Sequence, residues 1–146
     1  MPGNKLYQVS RVLDTVKKWW YWGSIASFKY HLSLSDKYLV EAKTLFEYKQ
    51  YVLALKSLER SDTEFKQLPA FIGESKSENK NIQLLRQMGI DAAGVHIETI
   101  AKFIPNLPEQ FLWEPEKSTP SLLPIGKLLR ESVRIREEMQ SKIGKY

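Results

Sequence analysis

Apolar residues in this chain recur at spacings of three and four, segment after segment, and nowhere alternate with polar ones over a strand-length window. Leu6, Val9, Val12, Leu13, Val16, Trp19 and Trp20 form the first such stripe, broken at Gly23. Phe28, Leu32, Leu39, Ala42, Leu45 and Phe46 predict a helix from Ser24 to about Tyr48. Tyr51, Ala54, Leu55, Leu58 and Phe65 predict another directly after Lys49-Gln50. So short a joint forces two helices into an antiparallel hairpin (residues 24–66), with Ala42 and Ala54 allowing close approach. Pro69 predicts the end of the hairpin's second helix, and the polar run within 69–80 reads as an exposed loop. Ile82, Leu85, Ala93, Ile97, Ile100 and Ile104 predict a helix over about 81–104, in which Gly89 and Gly94 mark close packing or a kink. Residues 105–123 read as a long connection held down by Phe111, Leu112 and Trp113. Ser121 is the expected cap of a last helix over 124–143, with Pro124 in its first turn. The expected fold is all-α, a single-domain bundle of about five helices over residues 1–146.

Composition narrows the chemistry. There is no cysteine, so disulfides, thiolate catalysis, iron–sulfur clusters and cysteine–zinc sites are excluded. The two histidines, His31 and His96, belong to no Glu-x-x-His or His-Glu-x-x-His pattern, because Phe28 and Ala93 stand where a glutamate is needed. They read as surface or satisfied core histidines. Asp62 with Glu64, and Glu137 with Glu138, diverge on a helix and read as solvated faces rather than acid–base pairs. No glycine-rich phosphate loop, Gly-x-Ser-x-Gly or kinase signature is present. The expectation is a non-enzyme with no cofactor, no metal and no small-molecule substrate.

The net charge is +5, and it is uneven. Residues 1–22 carry +3 and residues 117–146 carry +4, around a middle of −2. No stretch of about 18 apolar residues exists to span a membrane. The sharpest local feature is Lys17-Lys18-Trp19-Trp20-Tyr21-Trp22. Four consecutive aromatics cannot all face inward on one helix. Lysine beside tryptophan and tyrosine suits the headgroup level of an anionic membrane or an apolar partner surface. It also suits stacking on single-stranded nucleic acid, and Trp19 with Trp20 or Trp22 would equally serve as core that plugs the end of a bundle. Lys17, Lys18, Trp20, Tyr21 and Trp22 are therefore the candidate contact residues, with a protein partner or an anionic membrane surface expected. A nucleic-acid binder using the basic first and last helices is the alternative. Tyr30, Tyr38, Tyr48 and Tyr51 lie on or near the hairpin and are expected to fill core, with their hydroxyls at its rim.

Two resemblances follow from particular residues. Tyr38, Ala42, Leu45, Tyr51, Ala54 and Leu58 make the hairpin similar to one tetratricopeptide-type unit of about 34 residues, with departures at Glu41 and at Ser61, where alanine is usual. More specifically, Pro2-Gly3-Asn4-Lys5-Leu6-Tyr7 and the run Leu32-Ser33-Leu34-Ser35-Asp36-Lys37-Tyr38-Leu39-Val40-Glu41-Ala42 resemble a bacterial family of helical domains of unknown function. That family has a Pro-Gly-x-x-x-Tyr start and a Leu-x-x-(Ala/Ser)-(Asp/Glu)-(Lys/Arg)-x-Leu-x-Glu-Ala helix. The resemblance covers about residues 2–66. Leu112 to Lys117 look like the version found in uncultured, small-genome bacterial lineages. The family brings no established activity and no catalytic residues. Its members usually follow a signal or membrane anchor. The resemblance thus implies an extracytoplasmic domain if the N-terminus is trimmed, and a cytoplasmic one if Met1 is the true start.

Overall fold

The structure, a computed structural model, describes residues 23–117 and 119–146. Five α-helices account for most of them: α1 (Ser24–Glu47), α2 (Tyr51–Phe65), α3 (Leu68–Ser77), α4 (Gln83–Ala101) and α5 (Ile125–Gly144). A 3-10 turn at Ile104–Asn106 and a two-stranded ribbon, β1 (Phe111–Trp113) and β2 (Ser121–Leu123), connect α4 to α5. The all-α reading holds. No described helix is long and apolar enough to cross a membrane.

The α1–α2 hairpin forms as its spacing requires. Ala42 and Ala54 are fully buried. Lys49 takes a left-handed conformation (φ 56°), which lets the Gln50 amide donate back to the Leu45 carbonyl at 2.8 Å and close the end of α1.

Three sequence expectations need correction. Residues 69–77 are helical, and only 78–80 form an exposed turn. Pro69 sits in the first turn of α3, where its missing N–H has no partner to lose. Leu68, Ile72 and Ser75 are buried, and Asn79 (φ 56°) closes the helix. The connection over 105–123 contains strands after all: Phe111, Leu112 and Trp113 pair antiparallel with Leu123, Leu122 and Ser121. Of the three aromatic and apolar residues expected to hold it down, Phe111 packs on Tyr51, whereas Leu112 is turned outward and more than half exposed. Finally, Ser121 does not cap α5, because it lies in β2. The Gly126 amide donates instead to the Glu109 main-chain carbonyl at 3.0 Å, and the Glu109 carboxylate pairs with Arg130.

The core has two apolar halves. One joins Phe28, Leu32, Phe65, Ile72, Leu85, Ala93, Met139 and Ile143. The other joins Leu39, Ala42, Leu45, Ala54, Leu58, Ile100, Ile125 and Leu129. On every long helix a polar residue falls between the two halves: Ser35 on α1, Ser61 and Asp62 on α2, His96 on α4, Ser132 and Arg136 on α5, all of them buried.

The two glycines of α4 separate cleanly. A Cβ on Gly89 would lie 2.8 Å from Ile143 Cδ1 and 3.5 Å from Phe28 Cζ, so Gly89 permits the close approach of α4 and α5. Nothing lies within 4 Å of a Cβ on Gly94. Gly94→Ala should raise stability by about 0.5–1 kcal/mol through helix propensity alone. Gly89→Ala should lose that gain to the displaced Ile143. Denaturant melts of the two variants check this; an equal gain from both would contradict the packing.

Candidate functional site

The polar layer is the most elaborate constellation among the described residues. Ser35 and Ser61 lock α1 to α2 reciprocally: each hydroxyl donates to the other residue's carbonyl, at 2.9 and 2.8 Å. A small side chain at both positions is what lets the backbones come that close. Ser61 stands where the repeat resembled by the hairpin has alanine, and its hydroxyl also accepts from Arg136 Nη2 at 2.8 Å. Arg136 Nη1 donates to Asp62 Oδ1 and, at 3.1 Å, to Ser132 Oγ. Ser132 Oγ donates to Asp62 at 2.6 Å. The guanidinium lies over the Phe65 ring, 5.2 Å from its centroid. Burial pushes Arg136 below the ordinary arginine range, and the Asp62 charge opposes that shift. Arg136 is wholly buried, so its charge is tolerable only because Asp62 balances it.

This corrects the solvated-face reading of Asp62 and Glu64. Asp62 is the buried counter-ion of Arg136. Glu64 Oε2 lies 2.5 Å from His31 Nδ1, joining α1 to α2 a turn away. His31 is buried and stacked on Phe71 (centroids 4.8 Å apart, planes at 18°). His96 is buried too, with Nε2 2.8 Å from Asp36 Oδ1, and so ties α4 to α1. Both histidines are core histidines held by carboxylates. Glu137 is exposed, and Glu138 pairs with Lys142 at 2.9 Å on the surface of α5. No group of three or more His, Asp or Glu side chains suited to a metal occurs among the described residues.

Arg136 had a signal in the sequence. Ile125, Leu129, Ser132, Arg136, Met139 and Ile143 follow one another at steps of four and three, so the buried stripe of α5 passes through the serine and the arginine. Reading only apolar letters skips both. Asp62 is harder to find, because its partner is 74 residues away.

Above the Asp62–Arg136 pair, an open groove of about 380 Å³ runs between α2 and α5. Its walls are apolar: Val52, Leu55 and Leu58 on α2, Leu128 on α5, and Leu123 on β2, with Glu59, Glu131 and Lys56 among the residues that line it. The ribbon extends this surface. Phe111 and Leu123 pair on the face turned to the helices, Phe111 packing edge-on against Tyr51 with centroids 4.7 Å apart. Leu112 and Leu122 pair on the opposite face and project outward, 53% and 56% exposed.

The candidate contact residues Lys17, Lys18, Trp20, Tyr21 and Trp22 lie outside the described residues, as does Trp19. Of the tyrosines, Tyr30 and Tyr38 are buried as expected; Tyr51 is half-buried and Tyr48 is exposed. Four cations of α5 have carboxylate partners in this chain, one in the interior and three at the surface. Arg130 pairs with Glu109, Arg134 with Glu131, Arg136 with Asp62 and Lys142 with Glu138. Comparison with protein-family models, with curated proteins and with solved structures returned no match.

Asp62→Ala should destabilise the fold by about 3–5 kcal/mol, because it strands a buried guanidinium. Replacing the pair together, Asp62→Leu with Arg136→Met, should cost much less than Asp62→Ala alone. Chemical denaturation of the variants checks this. A double variant as unstable as the sum of its parts would contradict the charge-balance account.

Proposed function

We propose that this chain is a non-enzymatic helical interaction domain that works at a membrane surface outside the cytoplasm. The observation that carries the reading is the apolar face formed by the outward Leu112–Leu122 pair beside the open α2–α5 groove. Two large apolar side chains directed at solvent from a ribbon gain free energy only when something covers them. The polar side chains best suited to chemistry are, by contrast, engaged with one another as braces between helices: Asp62 with Arg136, Glu64 with His31, Asp36 with His96. The basic-aromatic run at Lys17, Lys18, Trp20, Tyr21 and Trp22 supplies the second contact, with lysine meeting anionic headgroups and the aromatic rings at their level. The placement outside the cytoplasm rests on the family resemblance of residues 2–66.

The test is co-sedimentation of the full chain with anionic and with neutral vesicles. The wild type should bind anionic vesicles. Leu112→Ser/Leu122→Ser and Trp20→Ala/Trp22→Ala should each lose most of that binding while keeping the wild-type circular dichroism. No wild-type binding to anionic vesicles would overturn the membrane-surface reading. Binding that both variants retain would remove these residues from the contact.

A further inference from the structure

Tyr30, Leu34 and Tyr38 stand on successive turns of α1 and form a third apolar cluster, apart from both halves of the core. At about 3.6 residues per turn, their stripe lies about 140° around the helix from Phe28, Leu32 and Leu39, so it points away from the core. The neighbouring helices take other sides of α1. Ser35 meets Ser61 on α2, His31 stacks on Phe71 of α3, and Asp36 holds His96 of α4. Arg60 reaches over the Tyr38 ring from the α2 side, 5.9 Å from its centroid. Yet Leu34 is only 8% exposed, and Tyr30 and Tyr38 are buried with it. An outward stripe this well buried has a further layer of chain over it. Outside the described residues the chain holds residues 1–22 and the single residue Ser118. One residue cannot cover three helical turns, so the occupant is the N-terminal segment.

The chain enters α1 through Gly23, whose φ of 100° is a conformation that side chains rarely adopt. The entry is pinned, because Ser24 Oγ donates to Glu78 at 2.6 Å and accepts from Ser75 Oγ at 2.8 Å. A chain that reverses at Gly23 and runs back along α1 sets each residue opposite the one equally far beyond the turn. Val16 then falls at Tyr30, Val12 at Leu34, and Val9 within one residue of Tyr38. These valines belong to the first three-and-four stripe of the sequence, so a helix presents them on one face. The same register brings Lys5 to Glu41, three residues beyond Tyr38 on the same side of α1. Glu41 Oε1 is buried and has no hydrogen-bond partner among the described residues. A buried carboxylate oxygen calls for a donor, and a lysine in register supplies one.

We propose that the N-terminal segment docks as a helix antiparallel to α1, with Val16, Val12 and Val9 on Tyr30, Leu34 and Tyr38 and with Lys5 at Glu41. The packing is independent of the membrane contact proposed above, since the three valines take no part in that contact. The chain has no cysteine, so introduced pairs report proximity alone. The full-length Val12→Cys/Leu34→Cys variant should close an intramolecular disulfide under copper-phenanthroline oxidation. It should do so at least about tenfold faster than Val12→Cys/Ser33→Cys, because Ser33 is exposed and lies about 100° around α1 from Leu34. Circular dichroism before oxidation separates a lost fold from a lost contact. Hydrogen exchange of the wild type needs no substitution at all: amides of residues 9–20 should exchange at least about tenfold more slowly than in an unstructured chain. Lys5→Glu should speed that exchange, and Lys5→Glu/Glu41→Lys should slow it again. Equal oxidation rates in the two folded cysteine variants would overturn the docking, as would unprotected amides over residues 9–20 of the wild type. Exchange left unchanged by Lys5→Glu would overturn the register.

Discussion

The buried contact between Arg136 and Asp62 is the constraint on which the other packing choices rest. A guanidinium with no exposed surface has one acceptable environment: a carboxylate in reach, further acceptors for its remaining donors, and a ring face beneath it. Asp62, Ser61, Ser132 and Phe65 supply these from two helices for the two Nη groups, while Nε is buried without an acceptor. The requirement reaches outward. Ser61 must be small to meet Ser35, which fixes how closely α1 and α2 pack. Arg136 must meet α2 at the level of Asp62, which fixes how far α5 slides along the hairpin. A purely apolar core tolerates such sliding, because one leucine contact replaces another. A polar layer between two apolar halves does not, because a slip of one turn leaves a charge unpaired. The open α2–α5 groove is a consequence, since its floor is the level at which Asp62 and Arg136 hold the helices.

The long helices were legible in the sequence and the short elements were not. Helices α1, α2, α4 and α5 each repeat the three-and-four spacing over several turns, and the two alanines of the hairpin announce its close crossing. Helix α3 has only Leu68, Phe71 and Ile72 as an apolar turn, and its polar remainder looks the same as a loop. The three-residue strands are too short for alternation to register. Pro69 illustrates why: proline is as compatible with the first turn of a helix as with the end of the preceding one.

The polar layer was only half legible, for a different reason. Asp62 and Glu64 diverge from each other, which is why they do not read as a catalytic pair, and that part holds: they serve different partners on different helices. What one-dimensional reading lacks is the far partner. Arg136 and His31 reach these carboxylates from distant segments, and only the assembled bundle brings them together. The histidines were readable as non-ligands because both sit outside any ligand pattern, but whether they lay at the surface or in the core was open until the bundle placed them. The exposed face of the ribbon was missed together with the strands that create it, since Leu112 and Leu122 become neighbours only through pairing.

The central claim is that Arg136 is a fixed, charged brace bonded to Asp62 in the interior. Nitrogen-detected NMR of the arginine guanidinium groups tests it directly. The account predicts one arginine with slowly exchanging, separately resolved Nη protons and a through-hydrogen-bond coupling to the Asp62 carboxylate, both lost in Asp62→Asn. Averaged, rapidly exchanging Arg136 signals like those of the surface arginines would contradict it.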